Sequence, residues 1–225
     1  MHKFYLLYLA FGIIISCAGE FRSKRLIFST ANSAFYKLER DETPDKELLK
    51  NTFGHPYKIS AEKLIGILGE IKFTKSTRIN QIRDYVFHAK ELDSLCPDLV
   101  QVFENIDRKH LAVVISQYDH TQSVISNKKR TSFYIWIDDA GMNLVFGDIQ
   151  NEVSREDSIN FYDWTRIQPI QLTIKADQNE IQESSSYSFK KVKGFFNRKW
   201  LIFSLADLSK YSPRSETKEV QESKE

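Results

Sequence analysis

The chain predicts a single α+β domain, with strand–helix units in its first half and mostly antiparallel sheet in its second. Up to Ser116, capped amphipathic stretches alternate with short apolar runs. Beyond it, the ordered segments follow the two-residue period of strands. The 225 residues carry 16 Phe and 10 Tyr against 8 Gly and 5 Pro, the make-up of a packed core and not of a disordered stalk.

Taken in order, Arg25–Phe28 reads as a short strand. The segment 31–40 fits either period through Phe35, Tyr36 and Leu38. Asp41–Asp45 is a polar loop, with a short helical segment over 45–50. Pro56 favours extended backbone at His55. Ser60 is a good N-cap for a helix bearing Leu64, Ile65 and Leu68 on one face, which Gly69 ends. Ile71–Phe73 then alternates as a strand, so 57–74 is a strand–helix–strand unit.

A second unit covers 81–117. Tyr85–Phe87 reads as extended, and Glu91–Leu95 as a helical turn. Pro97 opens a new helix, in which Leu99, Val102, Phe103 and Ile106 form a stripe. Leu111–Ser116 lacks alternation, which marks a strand buried on both faces. Thr131–Ile137 and Met142–Phe146 flank Asp138-Asp139-Ala140-Gly141, a hairpin signal with glycine where a positive φ is needed. Phe133, Ile135 and Ile137 fall on one face, Tyr134 and Trp136 on the other. Ile170, Leu172 and Ile174 alternate as a strand, 177–186 is a polar loop, and Trp200–Leu205 is the last strand. The globular part spans 25–210, and Tyr211–Glu225 is a charged, disordered tail.

The N-terminus carries a different message. His2 and Lys3 precede an uninterrupted apolar and small-residue run, Phe4–Ile15, followed by Ser16 and Cys17. This is the layout of an export signal. The run is too short for a membrane span, which takes about 20 residues. Ile14-Ile15-Ser16-Cys17 resembles the lipobox of bacterial lipoproteins. That resemblance implies cleavage after residue 16, lipid attachment at Cys17 and acylation of the new N-terminus. Ala18, where Asp would favour the inner membrane, implies outer-membrane delivery. The competing reading is ordinary cleavage at Ser16-Cys17-Ala18, which would leave a soluble chain. Residues 17–24 form a tether that reaches about 25 Å when extended. Its Arg22 and Lys24, with Arg25, stand near the headgroups or simply begin a solvated strand.

With Cys17 lipidated, Cys96 stands alone, so no intramolecular disulfide forms and Cys96 reads as a small buried hydrophobe. Net charge is only +2 with 28% charged residues, which advertises no polyanion partner, and no nucleic acid is expected because an exported protein rarely meets it. Asp119 and His120, beside Tyr118, are the first residues to consider for general-base chemistry, although a polar loop is the plainer reading. His55, His88 and His110 lack metal spacing, and Asp138 and Asp139 are turn residues, not a calcium loop. No glycine-rich phosphate loop or G-x-S-x-G elbow occurs. No cofactor is expected.

The most suggestive surface is Lys190-Lys191-Val192-Lys193-Gly194-Phe195-Phe196-Asn197-Arg198-Lys199. Five cations surround two aromatics. The plainer reading is a basic-edged hairpin whose phenylalanines belong to the core. The functional alternative sets Lys190, Lys191, Lys193, Arg198 and Lys199 at lipid phosphates and Phe195 and Phe196 at the interface. The expectation is a non-enzymatic envelope protein, joined to a membrane by its lipid and binding another envelope component. The alternatives are a small envelope hydrolase, or a carrier of lipid-like molecules with an apolar cavity beneath its sheet.

Overall fold

The computed structural model describes residues 23–76, 81–119, 128–153, 164–173, 179–206 and 208–213. The leader, Cys17, the tether as far as Arg22, His120, Ile174 and 214–225 lie outside the described residues. The chain runs through β1 (Arg25–Ser29), β2 (Ser33–Glu39), α1 (Ala61–Gly69), β3 (Lys72–Ser76), β4 (Gln81–Tyr85), α2 (Ala89–Asn105), β5 (His110–Tyr118), β6 (Lys129–Asp138) and β7 (Gly141–Phe146). It continues with β8 (Asn151–Glu152), β9 (Asn179–Ile181), β10 (Ser188–Val192) and β11 (Phe195–Phe203). The fold is α+β, and every pairing among the described strands is antiparallel.

The main sheet has the order β1-β2-β5-β6-β7-β11-β10, with β8 added beside β6. A second sheet has the order β4-β3-β9. The central strands are buried on both faces, as the unalternating LAVVIS run requires. One face carries Phe35, Val114, Phe133, Ile135, Leu144 and Leu201, packed against α1, α2 and the inward Phe73 and Ile181 of the small sheet. The other carries Val113, Tyr134, Trp136, Val145 and Trp200, covered by Leu49, Phe53, Ile167, Ile170 and Leu172. The division of β6 between the two faces is the predicted one. Trp136 and Trp200 meet edge to face at 5.4 Å, and Trp200 Nε1 donates to Asn143 Oδ1 at 2.9 Å.

The helices follow local chemistry. The Ser60 hydroxyl accepts from the Lys63 amide, and the helix ends at Gly69. The second helix is continuous, and Pro97 lies inside it instead of opening it. His88 caps it by accepting from the Lys90 amide, while the Glu91 carboxylate accepts from the His88 amide, closing a capping box. Leu92, Leu95, Cys96, Leu99, Val102 and Phe103 form one buried face across the proline, and this burial outweighs the bond lost there.

Four further expectations change. The ambiguous 31–40 segment is strand β2, because both its faces are covered. Ile170 and Leu172 are buried in the coat over the main sheet, with no strand assigned to 166–173. The polar loop expected over 177–186 contains β9, which pairs with β3. The folded body does not stop at Lys210: Tyr211 is 1% exposed, and its hydroxyl donates to the carbonyls of Ser186 and Ser204 at 3.0 and 3.2 Å.

Candidate functional site

The basic aromatic segment forms a finger. Val192 pairs with Phe195, and the two-residue turn Lys193-Gly194 has φ of 51° and 88°. Positive φ at both central positions matches the twist of a tight hairpin. Farther back the register slips: Phe189 faces Leu201, but the next residue, Lys190, faces Asn197. The extra residues Arg198, Lys199 and Trp200 make a bulge that bends the ribbon away from the sheet. Buried Asn197 fixes this bend, donating to the Leu172 carbonyl at 2.9 Å and accepting from the Lys199 amide at 3.0 Å. Only Trp200–Phe203 pair with β7, so among the described strands the outer part of β11 has β10 alone as its partner.

The tip stands clear of the described residues, with no atom of theirs beyond its own chain neighbours within 4 Å of where a Cβ on Gly194 would lie. Phe195 is 72% and Phe196 57% exposed, so the phenylalanines do not belong to the core. Successive side chains point to opposite faces of a strand, so the two rings flank the ribbon. Lys191 and Lys193 are exposed beside them, and Lys191 lies over the Phe196 ring at 4.7 Å. The other three cations are held to the body. Lys190 lies over Trp200 at 5.6 Å, and Lys199 donates to the Gly147 carbonyl at 3.1 Å. Arg198 pairs with Glu183 at 3.1 Å.

Beside the base of the finger lies a polar groove of about 350 Å³ on the outer face of the small sheet. Thr74, Arg83, Glu180, Gln182 and Arg198 line it. The sequence conceals it because 177–186 reads as a polar loop and β9 becomes a strand only against β3; the signal available is the polar residues at alternate positions, Thr74 and Ser76 on β3 and Gln81 and Arg83 on β4.

The remaining candidates are dispersed. Asp119 follows β5 in a partly buried position, and His120 lies outside the described residues. Buried Glu91 accepts from the Ser116 hydroxyl at 2.6 Å. Burial raises its pKa to about 7 against the two hydrogen bonds that favour the charged form. Cys96 is fully buried, and burial with the nearby carboxylates of Asp93 and Glu91 pushes its thiol far above the ordinary range, which makes it inert. His55 is buried between Phe53 and Phe103, with neither ring nitrogen hydrogen-bonded to a described residue, and burial lowers its pKa to about 4. His110 Nδ1 meets Asp107 at 2.7 Å. Asp138 accepts from Trp136 Nε1 and the Ala140 amide, which is turn chemistry. Among the described residues no three His, Cys, Asp or Glu side chains are grouped to hold a metal ion. No helix among them is long and apolar enough to cross a membrane.

Comparison with family models, with characterised proteins and with solved structures finds no match to this chain.

Proposed function

We propose that this chain is an exported envelope protein, anchored by lipid at Cys17, whose α+β domain is a non-enzymatic binding module that docks on an anionic bilayer through the β10–β11 finger. The observation that carries this reading is the tip itself, two uncovered phenylalanines on opposite faces of a projecting ribbon among cations. A partner surface laid along one face of the ribbon buries one ring. A bilayer entered tip-first buries both. Full burial of a phenylalanine is worth about 1.5–3 kcal/mol, and each basic residue near anionic headgroups about 1 kcal/mol. The lipid implied at Cys17 carries more than one acyl chain and anchors the protein by itself, so the finger's part is to fix how the domain lies on the bilayer.

The test uses residues 18–225 without lipid. The fragment is expected to sediment with vesicles containing phosphatidylglycerol, and binding is expected to fall at least tenfold in the double variant Phe195→Ser, Phe196→Ser. Replacing Lys191 and Lys193 by Gln should weaken binding about thirtyfold, at about 1 kcal/mol for each cation, and remove most of its salt dependence. Unchanged binding in both variants overturns the finger. For the anchor, intact mass from the native membrane is expected to show a lipid-modified Cys17 that Cys17→Ala abolishes. An unmodified N-terminus at Gly19 overturns it.

A further inference from the structure

We propose that the groove on the outer face of the small sheet binds a lipid phosphoethanolamine headgroup, with the phosphodiester at Arg83 and the primary ammonium at Glu180. This inference rests on the reading of the finger as a membrane contact. Arg83 on β4 and Glu180 on β9 each sit directly across from Thr74 of β3. Two strand spacings place their backbones about 10 Å apart, with a short threonine between them. Arg198 and Glu183 satisfy one another at the groove's edge. By contrast, Arg83 and Glu180 make no ion pair with any described residue. Opposite charges thus stand exposed on the two walls of one slot without pairing to a described residue, and Gln182, hydrogen-bonded to Thr74 at 3.3 Å, adds an amide beside them.

A ligand of one sign would leave one wall unanswered. A phosphodiester and an ammonium separated by two carbons answer both, each through a charge-assisted hydrogen bond. Phosphocholine lacks an N–H for Glu180 to accept, and among the described residues that line the groove none is aromatic and able to receive a quaternary ammonium instead. Phosphoglycerol brings no cation at all.

Depth also fits. Arg198, which lines the groove, lies three residues up β11 from Phe195, about 10 Å along the strand. Interfacial segments bury their apolar side about 5–10 Å into the boundary between headgroups and acyl chains. With the rings at that boundary, the groove comes level with the headgroups.

The experiment titrates the full chain, in non-ionic maltoside micelles, with glycerophosphoethanolamine, glycerophosphocholine, glycerophosphoglycerol and free O-phosphoethanolamine, and follows the amide resonances of Thr74, Arg83 and Glu180. Glycerophosphoethanolamine is expected to shift them with an affinity about fivefold above the choline and glycerol diesters. That shift should be lost in Arg83→Gln and in Glu180→Gln, both exposed substitutions that leave the core untouched. Equal response to all three diesters, no response, or an unchanged response in both variants overturns the headgroup site. Response to the free monoester alone overturns the lipid as its source. None of these outcomes bears on the finger, whose failure is read separately from vesicle binding.

Discussion

At the scale of single residues, two buried titratable groups set opposing pH dependences. His55 has its pKa lowered from 6.5 to about 4 by burial, with Asp107 opposing. Its folded form therefore binds fewer protons than the unfolded chain between those values. The stability it contributes is complete above about 6.5 and is lost as pH falls through about 4. Glu91 has its pKa raised from 4.5 to about 7, so its contribution is complete below about 4.5 and is lost as pH rises through about 7. The two slopes oppose each other over the interval they share. Glu91→Gln keeps an acceptor for the His88 amide and lets the Ser116 hydroxyl accept instead of donate. It is expected to leave stability near pH 5 unchanged and to raise it at pH 8 by about 1–3 kcal/mol, from the burial cost of an ionised carboxylate. Urea unfolding at the two pH values reads this directly. A loss of stability at pH 8 would mean that the charge-assisted hydrogen bond from the Ser116 hydroxyl is itself stabilising.

At the scale of elements, the C-terminal segment acts as a latch on α1. A Cβ on Gly66 would come within 2.9 Å of backbone atoms of Tyr211 and Ser212, closer than such contacts tolerate. Lys63 Nζ also donates to the Tyr211 carbonyl at 3.2 Å. Gly66→Ala gains about 1 kcal/mol of helix propensity but forces that backbone to move, and overpacking costs about 1–3 kcal/mol. The expected result is a net loss of stability with faster proteolysis after Lys210. A stabilised variant with unchanged proteolysis would show that nothing is latched. This latch was illegible in the sequence, because one glycine in a helix and one tyrosine in a charged stretch carry no periodic signal. What was legible had one local cause at each position: the Ser60 cap, the Gly69 stop, the two faces of β6 and the turn at Asp138–Gly141, where Gly141 has a φ of 127°. Elements set by distant partners were missed. β9 is a strand because β3 accepts it, and α2 runs through Pro97 because the sheet buries one continuous face. In the finger, the pattern of cations and rings was visible, but not whether the rings lay inside or outside. That depended on where β7 ends.

At the scale of the whole molecule, the strand order separates the chain's two proposed membrane contacts. β1, where the tether joins the body, is one edge of the main sheet, and β10 is the other. Six strand spacings make this about 29 Å. The register adds length along the strands, because the row that begins at Arg25 reaches Leu201, six residues short of the finger's tip at Phe195. Lys24 is held to the body by its bond to the Thr165 carbonyl and by the Tyr36 ring, so the tether cannot shorten this span by peeling back. On the proposed reading, one bilayer is gripped at opposite corners of the sheet, and the domain lies across the surface instead of swinging on its tether. Tethering at one corner also raises the effective concentration of the finger at the membrane. Loss of the finger in the lipid-anchored full chain should therefore alter orientation more than attachment. Neutron reflectometry of the full chain on a phosphatidylglycerol-containing bilayer is expected to show a thin protein layer for the native sequence. Phe195→Ser, Phe196→Ser should give a thicker, more diffuse layer at the same surface density. Equal profiles would mean that the finger does not face the bilayer holding the anchor, and equal profiles with vesicle binding intact in the soluble fragment would place its target on a second, apposed membrane.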